Sequence, residues 1–333
     1  MSVVLYCYDD SPFSKKIHNL LLLKNIPYEQ VLVANILPRP EITDLLGVAY
    51  RQIPILAIGN DVYCDTSLIA SALERRFPPS RGYGTIFPNK KHGGGADTGL
   101  VKAFAKYWPD TALFYLAPCL LPWETIPPAF IKDRSTLMGP VNVDAIVASR
   151  GKSLSALSTH LSLVEEQLSD GREWLWDTEL PSLADVSVHF VYSWIKPFPG
   201  VDSLLDASTF PKSLEWLARL TGYLNRLKQR RSAAAKITGQ AAAARIAAAP
   251  FEPYDVVGFD AREATRLELK EGDQVSVAPD FTKITEGAFG TVGKLVALNR
   301  EEFVVETTGT AGLVRCHLPR LLFTANVASK SRL

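Results

Sequence analysis

The chain has 333 residues, 36 basic against 35 acidic side chains, a net charge of +1 and 47% hydrophobic residues. That length exceeds the usual single domain, and the apolar fraction is ample for more than one core. The even charge balance argues against nucleic acid or acidic lipid as a partner, and no apolar run reaches the length of a membrane span.

Cys7, Cys64, Cys119 and Cys316 follow neither metal-ligand nor disulfide-framework spacing, so no metal site is expected and the thiols read as those of a reduced compartment. The first residues lack a basic stretch followed by an apolar one, so no secretory signal is expected.

In chain order, Val3 to Tyr8 is a β-rich run ending in Asp9-Asp10. Ser11 then opens a helical pattern with apolar residues at Ile17, Leu20, Leu21 and Leu23. Ser11 and Ser14 stand at the two ends of a C-x-x-C spacing without its thiols, which removes dithiol redox chemistry. A hydroxyl at a helix N-terminus remains, where free N–H groups and the helix dipole favour an anion such as a thiolate. Glu29 to Val33 reads as a strand, Pro40 to Leu46 as a short helix, and Ile53 to Cys64 as a hairpin around Gly59-Asn60. Thr66 to Phe77 is helical and stops at Pro78-Pro79, giving the order βαβαββα.

These residues resemble the glutathione transferase-like family, whose N-terminal domain is thioredoxin-like. Ser11-Pro12-Phe13-Ser14 is similar to the C-P-F-A or S-S-C-S of the cysteine and serine classes. Arg51-Gln52-Ile53-Pro54 is similar to the family's K-x-V-P with its cis-proline, and Asp65-Thr66 to its E-S or D-S. The resemblance implies that glutathione is a substrate and that the Ser11 hydroxyl is the catalytic group, donating to the glutathione sulfur. It implies a binding set of Phe13, Arg51, Gln52, Ile53, Pro54, Asp65 and Thr66. Ile53 would pair through its backbone, Arg51 or Gln52 would meet a terminal carboxylate, and Asp65 with Thr66 would grip the γ-glutamyl end. Read from the residues alone, Ser11 and Asp65 are also plain helix N-caps, and Tyr6 or Tyr8 is an alternative thiol activator.

Residues 81–97 form a linker containing Gly93-Gly94-Gly95, and helical periodicity runs from about Thr98 to Ala248. Within it, Leu180-Pro181-Ser182-Leu183-Ala184-Asp185 carries an S-x-x-D capping box ahead of an apolar run, similar to the element that opens the core helix of the transferase C-terminal domain. Phe104, Tyr107, Trp108 and Tyr115 are the expected second-substrate pocket. Aromatics at helical spacing are equally expected of a core. Leu116 to Gly139, with four prolines, departs from a plain bundle and is a candidate lid.

From Pro250 onward four short alternating runs, at Gly272–Val277, Gly290–Leu298, Glu302–Glu306 and Gly312–Cys316, resemble a small SH3-like or KOW-type barrel. It lacks net basic charge and an aromatic stripe, which argues against nucleic acid. The chain ends Ser331-Arg332-Leu333, a variant of the S-K-L peroxisomal address, giving an expected import receptor as partner and a peroxisomal matrix location, with a cytoplasmic alternative.

The expected organisation is therefore multidomain, α/β plus all-α plus all-β. Residues 1–80 are thioredoxin-like, 81–97 a linker, 98–249 all-α, 250–325 the barrel and 326–333 a tail. The expected activity is conjugation of the glutathione thiolate to a small apolar electrophile without a metal, with homodimerisation open. Alternatives are a glutathione-dependent isomerase or lyase, a glutathione-independent small-metabolite enzyme, and a non-catalytic scaffold.

Overall fold

The computed structural model describes residues 1–280 and 289–328, with Met138 described by its backbone alone. The expected terminal signal Ser331-Arg332-Leu333 lies outside the described residues.

The first domain follows the expected order: β1 (Val3–Cys7), α1 (Pro12–Leu23), β2 (Glu29–Leu32), α2 (Pro40–Leu46), β3 (Ile55–Ile58), β4 (Asp61–Cys64) and α3 (Thr66–Arg76). β1 pairs parallel with β2 and antiparallel with β3, and β3 pairs antiparallel with β4. Strands β1, β3 and β4 are buried along their whole length, which explains why they read as continuous apolar runs rather than alternating ones. The Leu37–Pro38 and Ile53–Pro54 peptide bonds are cis.

The helical part comprises α4 (Gly99–Tyr107), a π-helical turn over Trp108–Leu113, α5 (Phe114–Leu116), α6 (Pro128–Met138), α7 (Val143–Gln167), α8 (Leu183–Ile195) and α9 (Pro211–Gln229). α8 is buried from Leu183 to Tyr192, and its start carries the expected capping box. The Asp185 carboxylate accepts from the Ser182 and Leu175 N–H groups (2.9 Å each) and from Trp216 Nε1 (3.0 Å), so it ties α8 to two other segments as well as capping it.

The helical unit ends earlier than the expected 249. β5 (Ala235–Lys236) joins the free edge of β2, and α10 (Gly239–Ala248) packs on the first domain. The reason is side-chain size: Ala242, Ala243 and Ile246 are buried, and Gly239 lies so close to Glu41 that a Cβ there would stand 2.6 Å from its Cγ.

α11 (Tyr254–Val257) and α12 (Ala261–Arg266) lead into β6 (Gln274–Pro279), β7 (Thr291–Leu298), β8 (Glu302–Gly309), β9 (Gly312–Pro319) and β10 (Phe323–Val327). Five strands therefore stand where four were expected. Residues 326 and 327, expected in the tail, belong to β10, whose Phe323 and Ala325 turn inward while Thr324 and Asn326 turn out.

This β region is not a free-standing module. β9 pairs parallel with β4, Asp61 to Tyr63 against Arg315 to His317, and makes one ten-stranded sheet in the order β10-β6-β7-β8-β9-β4-β3-β1-β2-β5. Two glycines permit the close approach behind α2. Gly47 has φ +69 and lies where a Cβ would meet the Thr308 carbonyl oxygen at 2.6 Å, and a Cβ on Gly309 would meet that of Leu45 at 2.2 Å.

Candidate functional site

The N-terminus of α1 lies at the meeting of the first domain and the helical unit. Ser11 is its N-cap: its Oγ accepts the Ser14 N–H at 3.1 Å, and its own N–H donates to the Tyr8 carbonyl at 3.1 Å. Both ends of the serine pair are buried, Ser11 at 2% exposure, and the Ser14 hydroxyl has no hydrogen-bond partner among the described residues. The Ser11 oxygen uses one lone pair on the cap, which leaves its proton free to donate. Tyr6 is buried and its hydroxyl likewise lacks a partner among the described residues; burial pushes its pKa up, away from service as a base.

Pro54, in its cis bond to Ile53, precedes β3, and Ile53 and Pro54 are both buried. Just upstream, the Tyr50 hydroxyl donates to Gln52 Oε1 at 2.7 Å. Arg51 does not extend alone: its Nη1 donates to Thr136 Oγ1 at 2.7 Å and its Nη2 pairs with Asp133 Oδ2 at 2.9 Å, both on α6.

At the other end, Asp65 is the N-cap of α3, with its backbone at φ 70 and ψ 137. A non-glycine residue held there stores strain on the order of 1–3 kcal/mol, and such positions cluster at functional sites. Its carboxylate accepts the Ser67 N–H and pairs with Lys106 Nζ of α4 at 2.9 Å. Burial pushes the Asp65 pKa up, but Lys106 and the Ser67 hydrogen bonds outweigh it and hold the carboxyl below its ordinary value. Thr66 Oγ1 donates to Asp110 Oδ2 at 3.2 Å, and Asp110, in the π-helical turn, pairs with the buried Lys16 of α1 at 2.7 Å. Burial raises the Asp110 pKa in spite of that partner. The void among Lys16, Thr66, Asp110 and Leu183 is about 10 Å³, at the lower limit for a single water. π-helical turns inside α-helices recur at functional sites.

Phe13 packs against Phe114 (centroids 4.5 Å) and Phe190 (5.1 Å), and Phe114 stacks on Trp194 (5.5 Å). This aromatic wall is the one beside Ser11. The four aromatics expected to form the second-substrate pocket are not brought together. Phe104 and Trp108 sit in a separate row with Trp176 and His160, whereas Tyr107 and Tyr115 are 47% and 77% exposed.

Sequence reasoning passed over Lys16, Lys106, Asp110 and Asp133. For Lys16 a signal existed, because it shares the inward face of α1 with Leu20, where a charge needs a buried partner. The partners themselves come from distant segments and carry no local signature.

Residues 5–81 match the family model described as "Glutathione S-transferase, N-terminal domain". The similarity to that family covers the first domain. Residues 116–229 match a second model, described as a domain of unknown function (DUF7962).

The chain is similar to a GST-like protein from Pseudomonas syringae, at 26% identity and a TM-score of 0.71, covering 98% of this chain and 99% of that one. It is also similar to the beta-etherase LigF from Sphingobium sp. strain SYK-6, at 16% identity and a TM-score of 0.49 over 69% of this chain and 100% of that one. A further similarity is to the Tau class glutathione S-transferase of mango, Mangifera indica, at 14% and 0.48 over 69% and 99%. No curated protein matches the chain. Among the described residues no group of His, Cys, Asp and Glu side chains could hold a metal ion.

Proposed function

We propose that this chain binds glutathione along the line Asp65–Ser11–Ile53–Arg51 and transfers its thiolate to a small apolar electrophile held against Phe13, Phe114 and Phe190. The observation that carries the reading is the strained N-cap Asp65, held ionised at the head of α3 and spaced from Ser11 and cis-Pro54 as the transferase N-terminal domain requires. In this reading the Ser11 proton donates to the sulfur and the N-terminus of α1 adds its dipole. Together they lower a thiol pKa of ~8.5 toward neutrality. The thiolate attacks the electrophilic carbon, the leaving group departs with its electron pair, and no protein nucleophile takes part.

A second reading has its own observation. Lys106 already pairs with Asp65, and Asp133 with Arg51, so both groups assigned to glutathione meet opposite charges from the helical unit. That arrangement supports an enzyme or binding protein of the same fold that uses no glutathione.

One titration separates the two. Glutathione is added to wild-type protein and to Ser11→Ala, with calorimetry and ultraviolet thiolate absorbance as readouts. Binding in the micromolar to millimolar range, with a thiolate signal that Ser11→Ala abolishes, supports the transferase. No heat at several millimolar glutathione rejects it in favour of the second reading. We also propose the peroxisomal matrix as the location, on Ser331-Arg332-Leu333 alone. A fluorescent fusion that stays diffuse in the cytoplasm would reject that.

A further inference from the structure

A cleft of about 330 Å³ lies at the opposite end of α3 from Asp65, between the last turn of that helix, the linker of residues 81–97 and the segment ahead of α8. The linker that walls it is pinned on both sides. Toward the first domain, Glu74 accepts the Thr85 hydroxyl at 2.7 Å and the Ile86 N–H at 3.3 Å. Lys24 Nζ donates to Glu74 at 2.7 Å and to the Gly84 carbonyl at 2.8 Å. Glycine is required at position 84, because a Cβ there would stand 2.1 Å from the Leu23 carbonyl oxygen.

Toward the helical unit, the N–H groups of Glu179, Lys91 and Leu183 donate to the carbonyls of Asn89, Asp177 and Ile86 at 3.0, 2.9 and 2.8 Å. An ion pair between Lys90 and Asp97 at 3.0 Å closes the Gly93-Gly94-Gly95 loop. The cleft is therefore built by the fold, and its volume falls in the range of small-molecule sites, about 300–1,000 Å³.

Its lining is part apolar and part polar. Phe87 and Pro88 are buried beneath it, and Leu180 presents 44% of its surface. The Glu179 carboxylate, the Asn89 amide and the Thr98 hydroxyl also line it, and these side chains make no hydrogen bond or ion pair among the described residues. Thr98 is the N-cap of α4, yet its side chain does not cap the helix. The other charges at the cleft are matched, Lys24 with Glu74 and Lys90 with Asp97, and no basic side chain lines it among the described residues. Glu179 is thus a carboxylate without a cation, set beside an apolar surface. It repels an anion, and one free carboxylate is too little for a divalent metal ion. An ammonium group suits it, through a charge-assisted hydrogen bond, with the amide and hydroxyl oxygens as further acceptors.

We propose that this cleft binds a small organic cation, a primary amine carried on an apolar body. Glu179 holds the ammonium group, Asn89 and Thr98 accept its other N–H groups, and Phe87 with Leu180 covers the body. The occupant touches α3 on one side and the segment ahead of α8 on the other, so it stabilises the docked arrangement of the two units. None of these residues belongs to the groove proposed for glutathione.

The test uses the full-length protein with phenethylamine as the probe and phenylethyl alcohol as its uncharged analogue, at constant ionic strength. Calorimetry and the melting temperature are the readouts. Phenethylamine is expected to bind several-fold more tightly than the alcohol and to raise the melting temperature. Glu179→Gln should bind the two probes alike, while its unliganded melting temperature stays at the wild-type value because the side chain has no partner to lose. Leu180→Ala should weaken both probes by the same factor, since it removes apolar wall and no charge.

Phenethylamine binding no more tightly than the alcohol, or giving no heat at several millimolar, overturns the proposal. So does a Glu179→Gln variant that keeps the wild-type preference, which would place the amine elsewhere, as against the aromatic wall at Phe13. Neither probe carries a thiol or a carboxylate, so these outcomes hold whether or not the protein binds glutathione.

Discussion

Two seams join additions to the thioredoxin-like domain, and they are built differently. Toward the helical unit the seam is made of separate side-chain pairs, Lys16 with Asp110, Lys106 with Asp65 and Arg51 with Asp133. Toward the β region it is a main-chain ladder between β4 and β9, backed by a buried network. There Asp61 meets Arg76 at 2.7 Å and His317 at 3.1 Å, and Glu302 meets His317 at 2.7 Å and Arg75 at 2.8 Å. A seam of discrete ion pairs opens by exchanging partners, one pair at a time. A ladder opens only by uncovering backbone donors and acceptors together. The difference teaches that the β region is a permanent extension of the sheet, whereas the helical seam is where a ligand can compete, because its pairs use the residues proposed to hold one.

The largest expected effect lies in the β seam. Asp61→Asn leaves Arg76 and His317 without their shared carboxylate, and breaking a buried network in this way destabilises by roughly 3–5 kcal/mol. Urea unfolding measures it. A loss below about 1 kcal/mol would show the two seams to be equivalent after all.

A pH series sharpens the same point. Burial alone lowers the His317 pKa, but the hydrogen bonds its ring N–H groups donate to Asp61 and Glu302, with the charges of those carboxylates, override it and raise it to about 9. A raised folded-state pKa contributes stability that is complete below the ordinary value of about 6.5 and is lost as pH climbs through the folded one. The melting temperature is therefore expected to decline between pH 6.5 and about 9, and the decline should flatten in His317→Gln. An unchanged slope in that variant would remove His317 from the account.

The smallest effect on stability, and the most informative for the site, belongs to Lys106→Met. It releases Asp65 at the edge of the helical seam, so calorimetry should show glutathione bound several-fold more tightly, with unfolding shifted by only about 1–2 kcal/mol. Weaker binding would instead make Lys106 a ligand contact and end the idea that this pair competes.

Much of the first domain was legible from local pattern. Strand β1, the cap at Ser11, the cis-proline motif and the helix from Thr66 each have signatures within a few residues, and the capping box at Ser182 and Asp185 stands as read. The candidate pocket was less legible. Phe104 and Tyr115 share helical spacing, yet the π-helical turn at Trp108–Leu113 lies between them, and one packs half-buried against the core while the other is on the surface. β10 escaped notice because its alternation is short and ends in polar residues, and β5 because two residues carry no period.

From its sequence alone this protein was determined to have a transferase-type first domain, a helical middle and a β-rich end, because caps, turns and periodicity are set by neighbours along the chain. Only the tertiary structure decided that the β region continues the first sheet, that Asp65 and Arg51 meet Lys106 and Asp133, and that Arg51 and Arg134 share one carboxylate. Those facts depend on which buried charges and open strand edges find one another across 41 to 256 residues of chain. No local pattern encodes that choice, because it is made by the requirement that every buried charge and backbone group be satisfied.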